Sequence, residues 1–129
     1  MDIFKSEIRK LKNEKRDSEL KDRTKKFAVD IVRFYTSMPK TTESQVIGKQ
    51  LLRSGTSVGA NTRAAFRGRS TKEFVAKLGI VVEEADESCF WLEVLEELKL
   101  IKDNKSIKSL LREANELTKI FNSIRHKFK

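Results

Sequence analysis

A single cysteine, Cys89, excludes an internal disulfide framework. It lies beside Phe90 and Trp91 with no basic neighbour to lower its pKa, so it reads as a small apolar residue and not as a reactive thiol. The one histidine, His126, sits near the C-terminal end in Arg125-His126-Lys127. A Ser-His-Asp or Cys-His arrangement would have to stand on a fraying helix terminus, and a Cys/His metal site has no ligands to draw on. One proline and five glycines are too few turn formers for a sheet of many short strands, which leaves an all-helical chain. No run of about 18 apolar residues offers a membrane span. Met1-Asp2-Ile3-Phe4-Lys5 is followed by charges and not by an apolar stretch, so no secretory signal is read and the expected compartment is the cytoplasm.

What is abundant is positive charge. In 129 residues, the length of one ordinary domain, 28 Lys and Arg face 19 Asp and Glu for a net charge of +9. That balance favours acidic partners, above all RNA or DNA, with a merely soluble surface as the alternative. The charge is unevenly placed. Glu73, Glu83, Glu84, Asp86, Glu87, Glu93, Glu96 and Glu97 crowd one segment, and the cations are concentrated elsewhere.

Hydropathy supplies the architecture. Leu20, Thr24, Phe27, Ile31, Phe34 and Met38 step by four and three, as do Ile47, Leu51, Ser54, Val58, Asn61 and Ala65. Phe74, Leu78, Val81, Ala85, Ser88, Leu92 and Leu95 repeat the rhythm, followed by Ile107, Leu110, Ala114, Leu117, Phe121, Ile124 and Phe128. Four such seams joined by short links predict an antiparallel up-down-up-down four-helix bundle over residues 17–129, with helices at about 18–38, 43–66, 71–99 and 105–127. The expected N-terminal caps are Asp17 or Ser18, Thr42 with Gln45, Ser70 with Glu73, and Asp103 or Asn104. Residues 1–16 form a short basic helical arm in this reading, with Ile3, Phe4, Ile8 and Leu11 among lysines and arginines. It packs on the bundle or a neighbouring subunit, or binds a membrane surface or nucleic acid. Gly55 and Gly59 stand inside the second helix at a cost of about 1 kcal/mol each relative to Ala, which points to close approach of a neighbouring helix.

No constellation points to catalysis, a metal or a cofactor, and the chain reads as non-enzymatic. Glu83 and Glu87 share a helix face, but the Glu-x-x-His pairs of inward di-iron sites are missing. Ser54 and Asn61 are polar residues on a seam, and Asn61 reads as a buried amide that fixes register. Arg53, Arg63, Arg67, Arg69 and Lys72 form the candidate nucleic-acid surface, able to meet consecutive phosphates. Pairing with the acidic third helix is the competing account of the same residues. Surplus apolar side chains, Trp91 with Phe90 and Val94 foremost, predict a second buried surface and hence a homo-oligomer.

The runs Gln50-Leu51-Leu52-Arg53-Ser54, Ser57-Val58-Gly59-Ala60-Asn61, Arg69-Ser70 and Glu73-Phe74 resemble a small bacterial four-helix-bundle family. It is named after the intervening sequences of 23S ribosomal RNA genes. Ala76-Lys77-Leu78-Gly79-Ile80, Glu83-Glu84-Ala85-Asp86-Glu87 and Trp91-Leu92-Glu93 extend the match, which spans roughly Phe27 to Ile120. Many relatives read Asn-x-x-Glu-Gly where this chain has Asn61-Thr62-Arg63-Ala64-Ala65, so no role of that Glu carries over. The resemblance implies a cytoplasmic bacterial protein assembled as a homopentamer. A related protein, the accessory factor of diversity-generating retroelements, is a basic pentamer that binds nucleic acid and a reverse transcriptase. Membership implies no enzymatic activity, and it does not make the chain a constituent of the ribosome.

Overall fold

The computed structural model describes residues 13–128. Four helices follow in order, α1 (Glu14–Ser37), α2 (Thr42–Phe66), α3 (Thr71–Leu98) and α4 (Asn104–His126), with no strand among the described residues. Each helix packs on the next in sequence, and α4 closes back on α1 along a thinner seam, as the short links of an up-down-up-down bundle require. The expected basic arm falls almost wholly outside the described residues.

Every helix starts on a side-chain cap. Asn13 begins α1 by accepting from the Arg16 amide at 3.0 Å. The expected caps Asp17 and Ser18 are therefore already helical, and Asp17 is buried beside Arg16 with a 3.0 Å ion pair. Glu14 and Asp17 then occupy the first turn, where the helix dipole favours carboxylates. That turn is polar and lacks the apolar rhythm, which appears only from Leu20. Thr41, and not Thr42, caps α2, accepting from the Ser44 amide at 3.3 Å. Gln45 does not reach back to complete a capping box. Its amide oxygen accepts from the Tyr35 hydroxyl at 2.9 Å and its nitrogen donates to the Pro39 carbonyl at 3.3 Å, so it fastens the α1–α2 turn. Ser70 caps α3 through the Glu73 amide, as expected, while the Glu73 carboxylate accepts from the Arg69 amide. Asp103 caps α4.

The core is built from the predicted seams. Phe27, Ile31, Leu51, Val58, Leu78, Val81, Leu92, Leu95, Ile107, Leu117 and Phe121 are fully enclosed. Of the surplus apolar residues, Tyr35, Leu52, Phe66, Val82, Trp91, Leu111 and Ile120 pack against this core, each still partly open.

α2 departs from the single-seam expectation. It is flanked by α1 and α3 and buries two faces. Toward α1 lie Gly48, Gly55 and Gly59: a Cβ at Gly55 would stand 2.8 Å from Ile31, and one at Gly59 would stand 3.1 Å from the Thr24 carbonyl oxygen. Toward α3, buried Ser54 meets Ser88 at 2.9 Å between hydroxyl oxygens. Asn61 is not the buried register-setting amide. It is half-buried and donates to its own helix, to the Ser57 carbonyl at 3.0 Å and the Ser57 hydroxyl at 2.7 Å. Its neighbour Thr62 is the fully buried residue, its hydroxyl satisfied by the Val58 carbonyl at 2.7 Å.

Candidate nucleic-acid interface

Some cations of α1 and α2 are held by carboxylates. Arg23 of α1 makes a two-pronged contact with Glu113 of α4 at 2.6 and 3.1 Å and reaches Glu116 at 3.3 Å. That carboxylate pair raises the already high pKa of the guanidinium. Lys26 pairs with Asp30 one turn on, at 2.7 Å. Arg53, on α2, is held by two carboxylates of α3, with Glu84 at 3.0 Å and Glu87 closer still, and Glu87 also accepts from the Trp91 indole nitrogen at 3.1 Å. For Arg53 the geometry is that of an interhelical ion pair.

Arg63, Arg67, Arg69 and Lys72 are placed differently. Arg63 and Arg67 are exposed one turn apart at the end of α2, Arg69 is exposed in the turn, and Lys72 is exposed in the first turn of α3. None of these four side chains has a carboxylate partner among the described residues. The backbone sets this up. The α2 C-terminal cap on Arg67, with its amide bonded to the Ala64 and Ala65 carbonyls, turns the chain, and the nearest α3 carboxylate, Glu73, is spent on the Arg69 backbone amide at 3.4 Å and on no guanidinium.

Two further cations join them that the sequence reading passed over. Lys21 and Lys25 of α1 are exposed and unpaired among the described residues. α1 and α2 run antiparallel, so these lysines come alongside Arg63 and Arg67. A cavity of about 400 Å³ lies between them, with Ala28, Thr56, Gly59, Ala60 and Ala64 completing its lining. A second, of about 420 Å³, shares Lys21, Arg63 and Arg67 and continues past Asp22 and Phe66. The available signal was an i, i+4 lysine pair on the helix facing the glycines of α2. It is split between two segments and visible only once they are laid side by side.

The other candidates do not converge. Glu83 is exposed while Glu87 is occupied by Arg53 and Trp91, and no cluster of His, Cys, Asp and Glu among the described residues could hold a metal ion. His126 is exposed at the end of α4. Cys89 is buried, and loss of solvent pushes its thiol up to about 11. No described helix is long and apolar enough to cross a membrane. Phe90 is half exposed and stacks edge-on against half-buried Trp91 at 4.9 Å, with Val94 half-buried on the same helix.

The family model for 23S rRNA-intervening sequence proteins matches residues 16–123, from the first turn of α1 almost to the end of α4. The chain belongs to that family. The intervening-sequence fold is also that of a protein of unknown function from the S23 ribosomal protein family of Bacteroides thetaiotaomicron, known from a crystal structure. The two are 37% identical and superpose with a TM-score of 0.77, covering 85% of this chain and 97% of that one. None of the curated proteins matches. Neither the intervening-sequence family nor this neighbour carries a described activity.

Proposed function

We propose that this intervening-sequence protein is a non-enzymatic, homo-oligomeric accessory protein that binds RNA or DNA through phosphate contacts. The observation that carries the reading is the exposed set Arg63, Arg67, Arg69 and Lys72, whose side chains have no carboxylate partners among the described residues although the chain holds 19 acidic residues. Arg53 is left out of the set because Glu84 and Glu87 occupy it. Contacts of this kind position a nucleic acid without reading its sequence, so binding is sequence-neutral and salt-sensitive. An accessory of this type serves a nucleic-acid enzyme, such as a reverse transcriptase, by holding its template.

Filter binding with structured RNA and duplex DNA at rising salt tests the reading. Arg63→Glu, Arg67→Glu and Arg69→Glu together should abolish retention while the protein stays assembled. Absence of binding by the unaltered protein at low ionic strength removes the proposal. Loss of assembly in the triple variant supports the second reading, a protein-directed scaffold in which this face meets the carboxylates of another subunit. A specific observation favours an interface of some kind: Phe90 and Leu98, eight residues apart on α3, are each about half exposed with Val94 between them. We assign this stripe to contacts between copies, and five copies is what the family resemblance implies.

A further inference from the structure

We infer that the groove between α1 and α2 is a cradle for one unpaired strand of nucleic acid, seated with its phosphates inward and its bases outward. This rests on the phosphate-binding reading above and names its substrate class.

The walls carry cations on both sides. Lys21 and Lys25 stand one turn apart on α1, and Arg63 and Arg67 stand one turn apart on α2. All four are exposed and lack ion-pair partners among the described residues, and Asp22 is the one carboxylate that lines either cavity. Between the walls the floor is shallow and small, formed at its centre by Gly59, Ala60 and Ala64. Helices packed this closely have axes about 8 to 10 Å apart, so the groove has the width of a single chain. From Thr56 to Arg67 it runs about 16 Å along α2, the length of a few nucleotides of an extended strand. A single strand can follow that length and meet both walls. A duplex backbone curves away and leaves part of the row unmet.

The floor also sets the orientation. Among the described residues it offers no indole, phenol or side-chain amide to a base, and Phe66 at the far end is engaged edge-on with Phe74 at 5.9 Å. Bases entering the groove would lose stacking and gain nothing, whereas phosphates gain four cations. The Thr56 hydroxyl is spent as a donor on the Leu52 and Arg53 carbonyls, and the cations of the walls meet phosphates, which both kinds of strand share. RNA and DNA strands should therefore bind alike.

The test is fluorescence anisotropy of the full chain with labelled oligothymidylate, labelled oligouridylate and a blunt DNA duplex, each across a salt series. Four phosphate contacts on a single strand give a slope near −2.8 in log K against log salt, about a 50-fold loss between 50 and 200 mM. Lys21→Ala with Lys25→Ala should make that slope about 1.4 shallower for both single strands. Ala60→Glu, an exposed floor position, should abolish strand binding with helicity by circular dichroism unchanged. Single strands should outcompete the duplex. Equal or tighter duplex binding with the same dependence on Lys21 and Lys25 overturns the inference. So does strand binding that ignores both variants but is lost in Arg69→Glu with Lys72→Glu, an outcome that leaves the preceding reading intact. Failure of every nucleic acid to bind the unaltered protein removes both.

Discussion

Gly55 and Gly59 determine how near α1 and α2 can lie, and through that distance the depth of the basic groove. A methyl at Gly55 would press on the Cβ and both γ carbons of Ile31, at 2.8 to 3.2 Å, none of them the free end of a flexible chain. Gly55→Ala gains up to about 1 kcal/mol of helix propensity but forces the helices apart, and overpacking of that kind costs about 1 to 3 kcal/mol. The expected outcome is a lower urea midpoint. Gly79 is the control: its added Cβ meets only the Arg125 guanidinium nitrogen at 3.2 Å, the mobile tip of a long side chain. Gly79→Ala should raise the midpoint, corresponding to about 0.5 to 1 kcal/mol of added stability. Equal shifts in the two variants would show that propensity, and not interhelical approach, governs both sites. The close approach was legible because glycine inside a helix has few other reasons to be there. Asn61 was not, because its neighbour Thr62 satisfies its own hydroxyl within the helix and so can take the buried position, leaving the amide outside.

At the scale of elements, the terminus of α3 is strained. Lys99 has φ 54° and ψ 31°, the one non-glycine residue with positive φ among those described. An L-residue pays about 1 to 2 kcal/mol to sit in the left-handed region that ends many helices, and glycine does not. Lys99→Gly should therefore stabilise the fold by about 1 kcal/mol, read as a higher thermal midpoint, and a fall would show that the lysine side chain matters there more than its backbone. The start of α4 answers to pH. The Ser106 hydroxyl, followed by the Ser106 amide, holds the Asp103 carboxyl below its ordinary 3.8. A depressed folded-state pKa means that the cap is fully present above the unfolded value and is lost as pH falls through the folded one. Amide exchange in the first turn of α4 should therefore accelerate only below about pH 3.8, and Ser106→Ala should move the Asp103 titration upward in an NMR series. Helix existence and core faces were readable in advance because the four-and-three period runs through each seam, and for α3 and α4 the caps at Ser70 and Asp103 agree with it. The starts of α1 and α2 were displaced because their first turns are polar and carry no period, and because Thr41 and Thr42 offer equivalent hydroxyls side by side.

Across the whole molecule, charge and apolar surface are divided between opposite roles. The half of the bundle formed by α1 and α2 leaves its groove cations unpaired, while α3 exposes Glu83, Asp86, Glu93 and Glu97 around the stripe of Phe90, Val94 and Leu98. Sequence reading found the arginines of α2 and the aromatics of α3. It could not find the groove, which exists only where two antiparallel helices bring lysines and arginines from segments some forty residues apart onto facing walls. If the apolar stripe joins copies, assembly multiplies the number of grooves that one long strand can engage, and avidity follows without any new contact. Phe90→Glu with Leu98→Glu should then convert the assembly to monomers in analytical ultracentrifugation, with helicity retained because both side chains are already half exposed. The monomer should bind a short oligonucleotide with unchanged salt slope but bind a long strand far more weakly than the parent does. A variant that sediments like the parent removes the stripe as an interface. A monomer that keeps full affinity for long strands leaves the stripe standing and shows that each groove binds on its own.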